Sequence, residues 1–72
     1  SSVPKDQVEG VLIEKVEVST NAWRAGLRAG DIIVMANRYR IRSMDNLLQV
    51  VRPRGRLLLN IQRGGEAFFL VL

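Results

Sequence analysis

The sequence predicts a small α+β domain, a partly open β-barrel or sandwich of about five strands capped by two helices. Three observations support this fold class. Several short runs rich in β-branched and aromatic residues read as strands, glycine-containing turns separate them, and one longer amphipathic segment reads as a helix. A chain of 72 residues has room for a single hydrophobic core. We therefore expect one domain, covering residues 9–72 behind a flexible arm or linker remnant at residues 1–8.

The first strand and a very short helix come before a glycine turn. The run Val11–Val18 is apolar at first and alternates later, which predicts a strand that starts in the core and leaves it. Residues 19–21 offer N-caps for a helix at Ala22–Ala25. Gly26 is placed for a left-handed C-terminal cap, and Leu27 for the apolar contact that accompanies one.

A second turn leads into the middle of the predicted sheet. Gly30 supplies another permissive turn position, and Asp31 is placed to accept hydrogen bonds from turn amides. Ile32–Met35 follows as a buried strand. Asn37 then marks a turn before a short strand at Tyr39–Ile41.

The one longer helix is predicted from Met44 to about Arg52. Ser43 is its expected N-cap, and Pro53 ends the helix. Asp45 lies in the first turn, where a negative charge interacts favourably with the helix dipole. Two neighbouring apolar stripes run along it, one formed by Met44, Leu48 and Val51 and the other by Leu47 and Val50. Most helices this apolar are simply buried, but a second stripe is also typical of a helix that forms one wall of an apolar groove.

A strand hairpin closes the chain. Arg56–Arg63 and Ala67–Leu72 read as its strands, joined at a Gly64-Gly65 turn that favours positive φ. Phe68 and Phe69 are adjacent on a strand, so one points inward and the other outward.

Composition argues against catalysis. Histidine and cysteine are absent, which removes the commonest general base and the best nucleophile, and no cofactor or metal motif is found. No apolar run is long enough to span a membrane. The net charge is +4, and Arg38, Arg40 and Arg42 would share one face of a strand. A solvated strand face is favoured over a docking patch for an anionic partner, and nucleic acid is not expected because only Tyr39 could stack on bases there.

The glycine-turn segment resembles the core signature of PDZ domains. Residues 22–37 carry it as A-x-x-A-G-L-x-x-G-D-x-I-x-x-x-N. Within that family the chain is most similar to the C-terminal PDZ module of the HtrA/Deg periplasmic serine proteases, on the evidence of Lys5–Val16, Asn37-Arg38, Leu59–Gly64 and Phe69–Leu72. The resemblance covers about residues 9–72. It implies a PDZ fold, a periplasmic location, and a parent protease that acts in protein quality control and whose catalytic domain lies elsewhere.

The resemblance also implies where partners bind. PDZ domains bind extended C-terminal peptides by strand addition. The helix wall of the groove would be Met44, Leu48 and Val51, while Leu47 and Val50 would face the core. The segment Gly10, Val11, Leu12 and Ile13 corresponds to the strand after the groove strand, and it is a possible edge for pairing with another chain. The family's carboxylate-binding loop and first strand have no counterpart here, because Pro4 and its neighbours cannot form a nest of free amides. We therefore expect either a trimmed sequence or a module that does not bind C-termini in the usual way.

Three functions follow as expectations. The first is a non-catalytic interaction module that serves oligomer assembly of the parent protease, binding of hydrophobic C-terminal or extended peptides, or both. The second is a groove completed by the N-terminal arm or by a partner's strand, and the third is a basic-surface adaptor for anionic partners. Expected partners are proteins or peptides, including unfolded substrates, other domains of the parent and a second copy of the chain. Interface candidates are Trp23, either an anchor or a cap on the core, the outward Phe69, and Arg38, Arg40 and Arg42.

Overall fold

The computed structural model describes residues 9–51 and 56–72. Its elements follow in the order β1 (Val11–Leu12), α1 (Asn21–Ala25), β2 (Ile32–Ala36), β3 (Tyr39–Arg40), α2 (Met44–Val51), β4 (Leu58–Arg63) and β5 (Glu66–Val71). The expected arm at residues 1–8 and the predicted helix end at residues 52 and 53 lie outside the described residues.

The strands form one antiparallel sheet in the order β1-β2-β4-β5, with β3 also paired to β2. This arrangement of five strands and two helices confirms the predicted α+β fold, and the sheet is open rather than closed into a barrel. The register of β2 against β4 shifts between Ile33 and Met35. Such a bulge bends the strand and increases the local twist.

The core lies between the sheet and the two helices. Its members come from β1, β2, α2, β4 and the segments that follow α1 and β3: Val11, Leu27, Ile33, Ala36, Ile41, Leu47, Leu59 and Ile61. Ala36, Ile41 and Ile61 are completely inaccessible to solvent. Burial of these side chains supplies most of the favourable free energy of folding.

β1 is much shorter than the predicted strand Val11–Val18. Its pairing with β2 ends one residue after Leu12, where the Ile13 N–H donates to the Asp31 carbonyl (2.8 Å) and the Ile13 carbonyl accepts from the Gly30 N–H (2.7 Å). Beyond that point the segment that precedes β2 turns away from β1 at Gly30, whose φ is +95°. Within residues 9–51 and 56–72 the later residues therefore have no strand to pair with, although Val16 still packs against the core.

α1 ends in the predicted glycine cap. Gly26 has a left-handed φ of +111° and donates to the Trp23 carbonyl, while the Leu27 N–H donates to the Ala22 carbonyl. These two bonds form a Schellman motif, and the buried Leu27 is its apolar contact. At the other end, Thr20 caps the helix by accepting from the Trp23 N–H (3.2 Å). A helix of five residues is thus held by its two ends.

α2 begins where predicted. The Ser43 hydroxyl accepts from the Asn46 N–H (3.2 Å), and the Asn46 side chain accepts in turn from the Arg42 N–H (3.3 Å). Asp45 lies in the first turn, where its negative charge interacts favourably with the positive end of the helix dipole.

Candidate functional site

One side of β1 carries no strand among the residues that the structure describes. The Ile13 N–H and carbonyl both bond toward the β2 side, to Asp31 and Gly30, so the backbone groups of the neighbouring residue Leu12 face the other way. The N–H and carbonyl of Leu12 therefore point away from β2, toward the open side. The Leu12 side chain is 50% exposed. This strand edge has a free donor and a free acceptor for an added strand.

Gly10 brings the start of this edge against β2. A Cβ at this position would lie 2.5 Å from the carbonyl oxygen of Ile33. Only glycine allows the two backbones to approach so closely. Of the four predicted edge residues, Val11 is buried and Ile13 half-buried, so their side chains belong to the core side and not to a contact surface.

α2 divides into a buried face and an exposed face. Leu47 is buried and Val50 packs against the core, as predicted. Met44 and Leu48, one helical turn apart, are 50% and 52% exposed. Val51, predicted to share their stripe, is half-buried and also packs against the core. The exposed apolar surface of α2 is therefore formed by Met44 and Leu48.

The core connects α2 to the edge strand. Leu47 of α2 and Val11 of β1 belong to the same buried cluster, and α2 contacts β2, the neighbour of β1. An exposed apolar helix surface and an open strand edge thus lie on one small scaffold.

A second apolar surface lies on β5. Phe69 is 70% exposed and Val71 is 54% exposed, on the face of the sheet opposite the core. Phe68 pairs with the fully buried Ile61 and is only 36% exposed. The prediction that one phenylalanine points in and the other out is confirmed.

The three arginines do not share one face of a strand, contrary to the sequence-based expectation. Arg38 lies in a turn with a φ of +72°, Arg40 is on the two-residue strand β3, and Arg42 precedes α2. Arg42 also approaches Glu9, with 3.7 Å between its Nε and a carboxylate oxygen. All three side chains are exposed. They lie in a turn, on a strand and in the segment before α2, because the pairing of β2 with β3 is only two residues long.

Trp23 is half-buried and does not belong to the core cluster. The Arg28 guanidinium lies 3.5 Å from the centre of its ring, and the same group donates to the carbonyls of Trp23 (2.8 Å) and Leu27 (2.9 Å). A cation over an indole face is a favourable contact. Arg28 thus covers one face of the ring, and the role of Trp23 as an interface anchor stays a prediction.

The contact that sequence reasoning missed joins Asp31 to Arg63. Asp31 accepts from the Arg28 N–H (2.8 Å), as its place before β2 predicts. Arg63 adds two further bonds, from Nε to one carboxylate oxygen (2.7 Å) and from Nη2 to the other (2.8 Å), and Nη2 also reaches the Gly26 carbonyl (2.8 Å). The hydrogen bond from Arg63 lowers the pKa of Asp31 below its ordinary value of 3.8, against the opposing effect of burial. Extending the β2–β4 register by one residue would have placed Arg63 opposite Asp31.

Asn37 is a second residue whose role the sequence only half revealed. It lies at the predicted turn with a φ of +50°. Its N–H donates to the Leu58 carbonyl and its side-chain oxygen accepts from the Leu58 N–H, both at 2.8 Å. Asn37 thus fixes the start of β4, a role that is visible only once the strand order is known.

Neither helix in the described part of the chain is long and apolar enough to cross a membrane. Within residues 9–51 and 56–72 there is also no group of three acidic side chains close enough to hold a metal ion.

Comparison with known proteins gives a consistent result. Residues 12–63 match the PDZ domain family. The chain is 36% identical over 73 residues to the periplasmic serine endoprotease DegP of Escherichia coli K12, with all of the chain covered. It is 37% identical over 65 residues to the mitochondrial serine protease HTRA2 of Bos taurus, with 90% of the chain covered. The chain spans only 15% and 14% of the lengths of these two relatives.

A solved structure shows the same fold. The HtrA3 PDZ domain, crystallised with the phage-derived ligand FGRWV, superposes with a TM-score of 0.84 at 26% sequence identity. The match covers 89% of this chain and 58% of that one.

Proposed function

The chain belongs to the PDZ domain family, and we propose that it is the non-catalytic interaction module of a Deg/HtrA-type periplasmic serine protease of protein quality control. In this proposal the module binds extended segments with hydrophobic side chains, such as the C-termini of unfolded substrates. The protease activity belongs to a different part of the parent protein. The periplasmic location rests on relatives such as DegP, whereas HTRA2 is mitochondrial.

The observations that support binding are the open edge of β1 and the exposed apolar surface of α2, two features that share one core. A peptide in extended form would exchange backbone hydrogen bonds with Leu12, the residue whose N–H and carbonyl point outward. Its apolar side chains would contact Met44 and Leu48, which are half exposed. Main-chain bonds of this kind supply affinity, and side-chain contacts supply preference. The ligand of the HtrA3 PDZ domain, with Phe, Trp and Val among its five residues, is chemically suited to such a surface.

An amide-shift titration with the peptide FGRWV tests this proposal. We expect shifts at Leu12, Met44 and Leu48. The titration is repeated with the peptide amidated at its C-terminus. Equal shifts with both forms mean recognition of an extended strand, and shifts with the free carboxylate alone mean that the carboxylate is bound. No shift with either form would contradict the proposal.

Two variants make the titration specific. Leu48→Ser removes apolar surface from α2, and we expect it to weaken binding about tenfold, since loss of one well-placed apolar contact corresponds to about 1–2 kcal/mol. Val18→Ser is the matched control, because Val18 is 66% exposed but lies in the loop before α1. Equal effects of the two variants would mean that α2 is not the binding surface. Affinity that falls steeply with salt would point instead to the basic-surface adaptor.

We propose assembly of the parent protease as a second role. The observation that favours it is the exposed Phe69 and Val71 on β5, a surface separate from the proposed peptide site. Large aromatic side chains are enriched at the centres of protein interfaces. If the module assembles through its own surface, the chain self-associates in solution, and sedimentation velocity over a range of concentrations measures this directly.

A further inference from the structure

We propose that the free edge of β5 pairs with β5 of a second copy, in antiparallel register centred on Phe69. The proposal specifies the surface and the partner for the assembly role and rests on that role.

The β4–β5 register shows which backbone groups are free. The N–H and carbonyl of Leu72 are both bonded to Leu57, so this pair is hydrogen-bonded. The pairs Leu59–Leu70 and Ile61–Phe68 are of the same kind because the pattern alternates along the strand. The N–H and carbonyl groups of the residues between them, Ala67, Phe69 and Val71, therefore point away from β4. They form a row of three donors and three acceptors with no partner strand among the residues described.

This edge has none of the features that normally prevent strand pairing. Natural proteins protect edges with charged side chains, prolines or bulges. Residues 67–71 read Ala-Phe-Phe-Leu-Val, and their register with β4 is continuous. β5 is six residues long, whereas β1, at the opposite edge of the sheet, has two. The two edges therefore suit different partners, and the longer one offers enough backbone for a stable strand pair.

The free groups are arranged symmetrically, and this favours a second copy as the partner. Ala67 and Val71 are equally distant from Phe69, so a two-fold axis at Phe69 places Ala67 opposite Val71 of the other copy and each Phe69 opposite its equivalent. Every outward group then meets a complementary group. The single charged residue of the strand, Glu66, falls opposite Leu72 of the other copy, so no like charges oppose each other. The two Phe69 rings form a cross-strand aromatic pair on the outer face.

Cysteine cross-linking tests the register, because the chain has no native cysteine. In the proposed pairing the two residues at position 69 lie with Cα atoms about 5.5 Å apart, within the range of a disulfide. We expect Phe69→Cys to form a disulfide dimer on mild oxidation. Ala67→Cys alone should not, since its two copies are about 13 Å apart along the strands. A mixture of Ala67→Cys and Val71→Cys should cross-link. These side chains are exposed, so the variants are expected to fold, which circular dichroism checks.

Hydrogen exchange of the wild-type chain identifies what covers the edge. We expect the amides of Ala67, Phe69 and Val71 to become at least tenfold more protected as the concentration rises into the range where sedimentation shows a dimer. Protection that is independent of concentration would mean that a segment of the same chain covers the edge, and would overturn the inference.

The outcomes separate the inference from the role on which it rests. A chain that self-associates, but whose Phe69→Cys variant cross-links no better than Ala67→Cys, keeps the assembly role and overturns the β5 pairing. A chain that stays monomeric at millimolar concentration overturns both. The peptide titration monitors Leu12 and α2, and its result is independent of either outcome.

Discussion

Arg63, at the end of β4, holds the buried carboxylate of Asp31 through two parallel hydrogen bonds of 2.7 and 2.8 Å. The Asp31 side chain is 1% exposed, while that of Arg63 is 41% exposed. The same guanidinium satisfies the Gly26 carbonyl at the end of α1. One side chain thus joins the helix cap, the turn and the sheet.

Replacing this arginine should destabilise the fold. Arg63→Met keeps the aliphatic stem but leaves Asp31 with only the Arg28 amide as a partner. We expect a loss of about 2 kcal/mol in the free energy of unfolding, less than for a fully buried pair because Arg63 is partly exposed. Urea denaturation measures it, and Arg24→Met, on the exposed surface of α1, is the control. Equal losses in the two variants would rule out a special role for the pair.

Acid should destabilise the wild type through Asp31. The hydrogen bond from Arg63 lowers the pKa of Asp31 in the folded state below 3.8, so the folded state binds this proton less readily than the unfolded state. The stabilisation is therefore complete above about pH 4 and is lost as the pH falls through the lowered pKa. Unfolding free energies measured from pH 6 downward should fall more steeply for the wild type than for Asp31→Asn. Parallel curves would show that Asp31 does not contribute to acid sensitivity.

Gly10 should tolerate a side chain less well than Gly64. Gly10→Ala places a methyl group 2.5 Å from the Ile33 carbonyl oxygen, so the start of β1 must move away from β2. Gly64→Ala meets nothing within 4 Å and has only the cost of a left-handed φ, about 1 kcal/mol. We expect Gly10→Ala to lose about 2–3 kcal/mol of unfolding free energy. Comparable losses in thermal unfolding would mean that the close approach of the two strands is relaxed at little cost.

Leu47 and Leu48 are neighbours in sequence with opposite environments. Leu47 is 9% exposed and Leu48 is 52% exposed. Leu47→Ala should cost about 2–4 kcal/mol because it leaves a cavity in the core, while Leu48→Ala should cost less than about 1 kcal/mol. Chemical denaturation of the two variants compares them directly. If Leu48→Ala were the more destabilising change, α2 would be rotated relative to the face described here.

The sequence was sufficient to predict local structure. The Gly26 cap, the Ser43 cap and the Gly64-Gly65 turn follow from residue types that suit one backbone geometry, and the structure confirms each. Helical spacing separated Leu47 from the stripe of Met44 and Leu48, and the family resemblance implied that Leu47 faces the core, where the structure has it. The α+β class, with about five strands and two helices, followed from the order of these elements, whereas the open form of the sheet is a finding of the structure.

Contacts between residues far apart in the sequence were harder to predict. Arg63 and Asp31 are 32 residues apart, and Asn37 and Leu58 are 21 apart. Both contacts depend on strand register, which no local pattern reveals. The predicted length of β1 was wrong for the same reason. The position of β2, and not the sequence of Val11–Val18, decides where the pairing ends.

The placement of Trp23 makes this single tryptophan a local spectroscopic probe. Its ring is stacked against Arg28 and lies outside the core cluster. Its fluorescence therefore reports the corner formed by α1 and the turn before β2, whereas far-ultraviolet circular dichroism reports the helical and strand backbone of the domain as a whole. Coincident denaturation curves from the two signals would show that this corner and the sheet unfold as one cooperative unit. An earlier fluorescence transition would show that the corner opens first, as a separate unit of lower stability.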